Sequence, residues 1–153
     1  MPETPKDTNN DPPIFAFFNE IGIIEQLARN RFEQVLPDGL RISHFSVLNH
    51  FVRLDREETP VQLARNFQVT KGAMTNTLQR LEARGLVEIR PHPTDGRGKL
   101  VRITEAGRAA RARSIAALAP VLAELNEHFP EQAFRDGLPL LRELRQFLDK
   151  ARD

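Results

Sequence analysis

A mainly α-helical fold with one small β-hairpin is predicted for this chain, and three observations predict it. Apolar residues recur at helical spacing over both ends of the chain. In the middle, two helix-starting threonines, Thr59 and Thr70, stand close together, so a short helix is followed at once by a longer one. Directly afterwards, Val87–Arg90 and Leu100–Thr104 alternate apolar and polar residues around a nine-residue loop, which is the period of half-buried strands.

Residues 1–12 are polar and rich in Pro, Asp and Asn, without the basic start and apolar core of a signal peptide; they read as a disordered tail on a cytoplasmic protein. From Pro13 to about Leu36, Ile14, Phe17, Phe18, Ile21, Ile24 and Ala28 form one stripe, widened by Phe15, Ile23 and Leu27, a breadth that suggests burial on two sides. Pro37-Asp38-Gly39 supplies turn chemistry. Ser43 is expected to cap the next helix, which carries Phe45, Leu48, Phe51 and Val52 and closes by Asp55–Glu58. Thr59, Pro60 and Gln62 then give a cap, a first-turn proline and a capping box, with Val61, Leu63, Ala64 and Phe67 expected to face inward.

Thr70 opens the following helix, whose buried side should be Ala73, Met74, Thr77, Leu78 and Leu81, and Gly85 suits the left-handed residue just past its end. In the hairpin, Val87 and Ile89 share one face of the first strand, and Val101 and Ile103 share one face of the second. Pro91, Pro93, Gly96 and Gly98 hold the loop between them as a turn. Thr104 caps a long helix reaching about His128, kinked by Pro120, and Phe129-Pro130 ends it. Gly137 and Pro139 are expected to split the last segment, leaving a C-terminal helix from about Leu138.

Composition narrows the chemistry. The chain has no cysteine, which excludes disulfides, thiolate metal sites and cysteine nucleophiles. Without Trp or Tyr, stacking on bases would fall to Phe alone, an argument against single-stranded nucleic acid. No apolar run is long enough for a membrane span. The net charge is only +1, but residues 60–104 hold 8 Lys and Arg against 3 Asp and Glu, whereas residues 1–59 hold 6 against 10. A basic middle third in a near-neutral chain is the electrostatic footprint of a nucleic-acid site. A solvated charged face would look the same, so the helices and hairpin must decide.

Short helix, tight turn, longer helix and hairpin follow in the order of a winged helix-turn-helix, whose second helix enters a major groove. Thr70, Lys71, Thr75, Asn76, Gln79 and Arg80 provide hydrogen-bonding reach at the start and along one side of that helix. Arg90, Asp95, Arg97 and Lys99 lie in and beside the hairpin loop, the wing, where an arginine can enter a minor groove. The terminal helices have apolar faces that one small winged lobe cannot cover, so two copies are expected to pack through them. Phe15, Phe18, Leu118, Leu122, Leu141, Leu144 and Phe147 are the candidate dimer contacts. A two-fold dimer presents its recognition helices about 34 Å apart, matching a pseudo-palindromic double-stranded operator.

The stretch Thr59-Pro60-Val61-Gln62-Leu63-Ala64, the stretch Val69 to Thr75, and the run Leu78 to Val87 resemble the MarR (multiple antibiotic resistance regulator) family of bacterial transcription factors. So do Asp95-Gly96-Arg97 and Ile103-Thr104-Glu105-Ala106-Gly107. The resemblance covers nearly the whole chain and is strongest over residues 59–107. It implies a single domain over residues 13–153, with a winged helix-turn-helix lobe at 43–104 and dimerisation helices at 13–36 and 105–153. It further implies a homodimeric, sequence-specific regulator, expected to be a repressor released by a small ligand, aromatic compounds among the candidates. Asp95 would orient the wing and Arg97 would contact DNA. Phe17, Phe32, His50 and Phe51 could line a ligand pocket, although each Phe is more simply explained as core. The wing departs from the family at Ile89 and Gly96, where Arg or Lys is common, so its charge rests on Arg90, Arg97 and Lys99. Pro120 and Pro139 are unusual in the dimerisation helices.

Two rival functions fit the sequence less well. The four histidines, His44, His50, His92 and His128, fall in no metal-ligand or catalytic-triad pattern, so neither an enzyme, a cofactor nor a metal is expected. A metal-sensing regulator of the same fold, built from distant ligands, is the nearer alternative. A winged module that binds only proteins is the other, and the basic wing counts against it.

Overall fold

The computed structural model describes residues 10–152. Residues 1–9 of the expected N-terminal tail therefore lie outside the described residues. Helix α1 spans Pro13–Val35 and begins on a first-turn proline, as the periodicity predicts. None of its residues is buried within the chain, and Ile14, Ile24 and Leu27 are more than half exposed. A single 3-10 turn, Pro37–Gly39, follows, with Asp38 and Gly39 both left-handed (φ 62° and 68°).

Helix α2 covers Ile42–Leu54 and is preceded by Arg41, not capped by Ser43. The correction has a local cause. His44 Nδ1 accepts the Arg41 backbone N–H at 3.1 Å, so a ring nitrogen satisfies the entry that a serine was expected to serve. Helix α3, Pro60–Phe67, carries the expected capping box: Thr59 Oγ1 accepts the Gln62 N–H at 3.1 Å, and Gln62 Oε1 accepts the Thr59 N–H at 2.9 Å. Its Leu63 and Ala64 are buried, but Val61 is exposed, contrary to expectation. Helix α4, Lys71–Ala83, starts with Thr70 Oγ1 accepting the Ala73 N–H. Met74, Leu78 and Leu81 are its buried residues. Ala73, expected inside, sits on the outer side of the first turn, one position from Met74 and so about 100° around the helix.

Gly85 ends α4 at φ 71°, with the Leu86 N–H on the Leu81 carbonyl and the Gly85 N–H on that of Glu82. This Schellman closure turns the chain straight into the hairpin. Strands β1 (Val87–Pro91) and β2 (Lys99–Ile103) are antiparallel, with Val87 opposite Ile103 and Ile89 opposite Val101. The predicted faces hold: Val87 and Val101 are buried, and Ile89 and Ile103 pack on the core. Glu58 adds a backbone bridge to Val101, donating at 3.1 Å and accepting at 2.9 Å.

Strand β2 ends at Ile103, one residue short of the expected Thr104, and Thr104 caps helix α5, Glu105–Ala117, as expected. Its hydroxyl donates to the Gly85 carbonyl (2.7 Å) and accepts the Gly107 N–H (3.0 Å). The core of this part of the chain joins Val47, Leu48 and Phe51 of α2, Leu63 of α3, Met74, Leu78 and Leu81 of α4, Val87 and Val101 of the hairpin, and Ala110 of α5.

The described residues divide into two compact units, one ending at Ala117 and one beginning at Leu118. In the second, helix α6 spans Ala119–His128, so the long helix expected over residues 105–128 is two helices that break at Leu118. Pro120 lies in the first turn of α6, where its missing N–H costs little. Helix α7 runs unbroken over Glu131–Ala151 with Pro139 inside it. The split expected at Gly137 and Pro139 does not occur. Side-chain pairs four residues apart, Glu131 with Arg135 and Gln132 with Asp136, support the turns before the proline.

Candidate nucleic-acid interface

A cleft of about 1040 Å³ lies between α4 and the wing, with the N-terminus of α3 along its border. Seven of the residues singled out from sequence line it: Lys71, Thr75 and Gln79 from α4, and Arg90, Asp95, Arg97 and Lys99 from the hairpin. Three others, Thr70, Asn76 and Arg80, are exposed but do not line it. Thr70 already spends its hydroxyl on the helix cap. Lys71, Thr75 and Gln79 recur every four residues, so they stand in a row along α4. The cleft also takes in Pro60, Val61 and His92, which sequence reasoning did not assign to it.

The wing tip is held in shape by short polar contacts. Asp95 Oδ1 accepts the Arg97 N–H at 3.1 Å, and the Asp95 carbonyl accepts the Gly98 N–H at 3.0 Å. His92 Nδ1 lies 3.2 Å from both the Thr94 and Asp95 nitrogens, while its backbone N–H donates to the Gly98 carbonyl. Gly98 packs closely here, since a side chain would meet Asp95 and His92 at 3.3 Å. Asp95 thus organises the loop from which Arg97 projects.

The wing's charges are not equivalent. Arg102 pairs with Glu88 directly across the hairpin at 2.5–2.8 Å, a hydrogen bond and attraction that hold its guanidinium protonated more firmly than usual. Arg90 is held by Glu57, with one terminal nitrogen 2.7 and 2.6 Å from the two carboxylate oxygens. Arg97 and Lys99 carry no carboxylate partner among the described residues. Arg90, expected to share the wing's outward charge, thus lines the cleft but is paired with a carboxylate.

The four candidate ligand residues do not line this cleft. Phe51 is buried in the core at 1% exposure. His50 is buried too, with Nε2 3.0 Å from Glu58 Oε1 and its ring edge-on to Phe51 and Phe67. Phe17 and Phe32 stay on α1, partly exposed. Of the expected dimer contacts, Phe15, Phe18, Leu122, Leu141 and Phe147 are exposed, Leu144 is half-buried, and Leu118 is buried. No three His, Asp or Glu side chains among the described residues come together as a metal site. No helix among them is long and apolar enough to cross a membrane.

Residues 38–98 match the model of the MarR family. Over 77 residues the chain is 39% identical to the multiple antibiotic resistance protein MarR of Escherichia coli strain K12; the match covers 50% of this chain and about half, 53%, of that protein. The crystal structure of the reduced form of E. coli MarR is similar over far more, with 30% identity, 82% of this chain and 93% of that one, at a TM-score of 0.69. The chain belongs to the MarR family. A mutant of E. coli MarR crystallised with operator DNA is also similar, at 28% identity and a TM-score of 0.66, over 86% of this chain and 94% of that one. BldR, a transcriptional regulator from Sulfolobus solfataricus, is 25% identical with a TM-score of 0.73, over 92% of this chain and 99% of its own. Within this MarR-family chain the family-model match spans α2, α3, α4 and most of the wing, the elements that build the cleft.

Proposed function

We propose that this protein is a homodimeric, sequence-specific, DNA-binding transcriptional regulator of the cytoplasm and not an enzyme. The observation that carries the reading is the cleft, in which a row of polar and cationic side chains on α4 faces a wing tip bearing Arg97 and Lys99. Lys71, Thr75 and Gln79 have the donors and acceptors to meet base edges and phosphates, and a wing arginine suits a narrow minor groove. The similar E. coli MarR mutant, crystallised with operator DNA, supports the same reading.

The second copy is argued from α1 and α7, each taken by itself. Neither has a buried residue, and both carry Phe and Leu side chains in the open. Packing against another subunit would remove that surface from water, at about 25 cal/mol per Å². We further propose repression released by a small aromatic ligand, for which Phe17 and Phe32 remain the accessible candidates.

The test is a gel shift on the DNA upstream of the protein's own gene, across several salt concentrations. Binding that weakens steeply with salt is expected. Arg97→Ala should lose roughly 10-fold or more in affinity while the dimer persists. Absence of any shift at low salt overturns the DNA reading. A thermal-shift screen of aromatic acids tests the ligand: a saturable rise in Tm is expected, and no rise across the screen removes that part of the proposal.

A further inference from the structure

We propose that Glu57 is a clamp on the wing: it holds Arg90 near the loop end of strand β1 and withdraws that arginine from the cations offered to DNA phosphates. The inference rests on the DNA-binding reading and assigns Glu57 a positioning role that limits affinity.

An exposed ion pair is ordinarily worth little, about 0–1 kcal/mol, because two long side chains must be ordered to form it. Both partners here are partly exposed, at 45% and 34% of the side chain. What distinguishes this pair is how firmly Glu57 is placed. Its neighbour Glu58 is 2% exposed, and the Glu58 carboxylate accepts from Arg56 Nε and Asn66 Nδ2, both at 2.9 Å, beside His50 Nε2 at 3.0 Å. The Glu58 backbone is bonded in both directions to Val101 of β2. The segment Arg56–Glu58 is thereby tied to α2, α3 and the hairpin, so little further ordering is needed on the carboxylate's side.

Arg90 reaches Glu57 from β1, the other strand of the same hairpin, and one of its terminal nitrogens meets both carboxylate oxygens. The charge of Glu57 also reaches Arg102, which it helps to keep protonated. Two of the wing's four cations, Arg90 and Arg102, are thus held by carboxylates, and Arg97 and Lys99 carry the outward charge. A wing anchored in this way keeps its angle to α4.

The experiment measures the slope of log K against log salt for the full-length protein on one duplex that it binds. Each phosphate contact contributes about 0.9 to that slope. Lys99→Gln should flatten it by about 0.9 for each wing engaged, and Arg90→Gln should leave it unchanged. Glu57→Gln should steepen it by about 0.9 per wing, as the released Arg90 finds a phosphate, an extra loss of roughly 3-fold over a fourfold rise in salt. Circular-dichroism melts check that each variant is folded. If Arg90→Gln flattens the slope as Lys99→Gln does, or Glu57→Gln leaves it unmoved, the clamp is overturned while the DNA reading stands. If the wild-type protein binds no DNA at low salt, both fall together.

Discussion

In α3 and α4 the apolar side chains Leu63, Ala64, Met74, Leu78 and Leu81 are buried, and the polar ones face outward around the cleft. In α7 the arrangement is reversed: no residue is buried, and Phe134, Leu138, Leu141 and Leu148 remain 40–51% exposed. Both regions are amphipathic helices with strong helical periodicity. The difference lies in whether one copy of the chain supplies the covering surface. Helices α3 and α4 bury their apolar sides within one chain, so their exposed polar residues are available for contact with another molecule. Helices α1 and α7 leave apolar surface in water, the surface on which a second copy is proposed to pack.

The contrast can be broken hardest inside the complete region. A Cβ on Gly107 would collide with the Leu86 carbonyl oxygen and sit 2.7 Å from Ile103. Gly107→Ala should therefore destabilise the protein by about 3 kcal/mol in urea unfolding, since backbone must move. Gly22→Ala, on exposed α1 with nothing within 4 Å, should be neutral or slightly stabilising. Equal effects at the two glycines would refute the close approach.

Next in size is the incomplete region. Leu141→Glu with Phe147→Glu should convert a dimer to a monomer in sedimentation velocity at micromolar concentration, because it sets carboxylates on the face proposed to be covered. A wild-type protein that already sediments as a monomer would show that these helices are not an interface.

A smaller effect sharpens the recognition side. Thr70→Ala removes the acceptor for the Ala73 N–H and should cost about 1 kcal/mol, with Thr70→Ser restoring most of it. Failure of the serine to rescue would point away from capping.

The smallest effect is one of pH. Burial of His44, with Arg84, Arg80 and Arg41 nearby, pushes its imidazole below the ordinary value of 6.5, while Nδ1 accepts the Arg41 N–H. The unfolded chain therefore takes up this proton more readily than the folded one, and stability falls as pH drops below about 6.5. His44→Gln should flatten that dependence in melts between pH 7.5 and 5.5. An unchanged pH profile would assign the dependence to other groups.

Much of the cleft was legible because its signals are local. Thr59, Gln62, Thr70 and Gly85 act on backbone groups within a few residues, and the alternation of Val87, Ile89, Val101 and Ile103 fixes which faces turn inward. Where sequence reasoning failed, an unseen partner decided. Ser43 lost the helix entry to His44. Val61 and Ala73 are small or marginal residues whose side of the helix depends on what packs there. Gly137 and Pro139 are expected to split the last segment, but α7 continues through both.

The sequence by itself determined the starts of α1, α3, α4 and α5, the inward faces of the two strands and the concentration of cations in the middle third. These follow from hydrogen bonds and periodicities that reach only a few residues along the chain. The tertiary structure alone decided which of those cations remain outward. Arg90 and Glu57 lie 33 residues apart, and nothing local announces their pairing. The same holds for the burial of Glu58 beneath His50, Arg56 and Asn66, and for Gly107 against Leu86. Charge is a property of the residue, but its availability depends on which other charge the fold brings within about 3 Å of it.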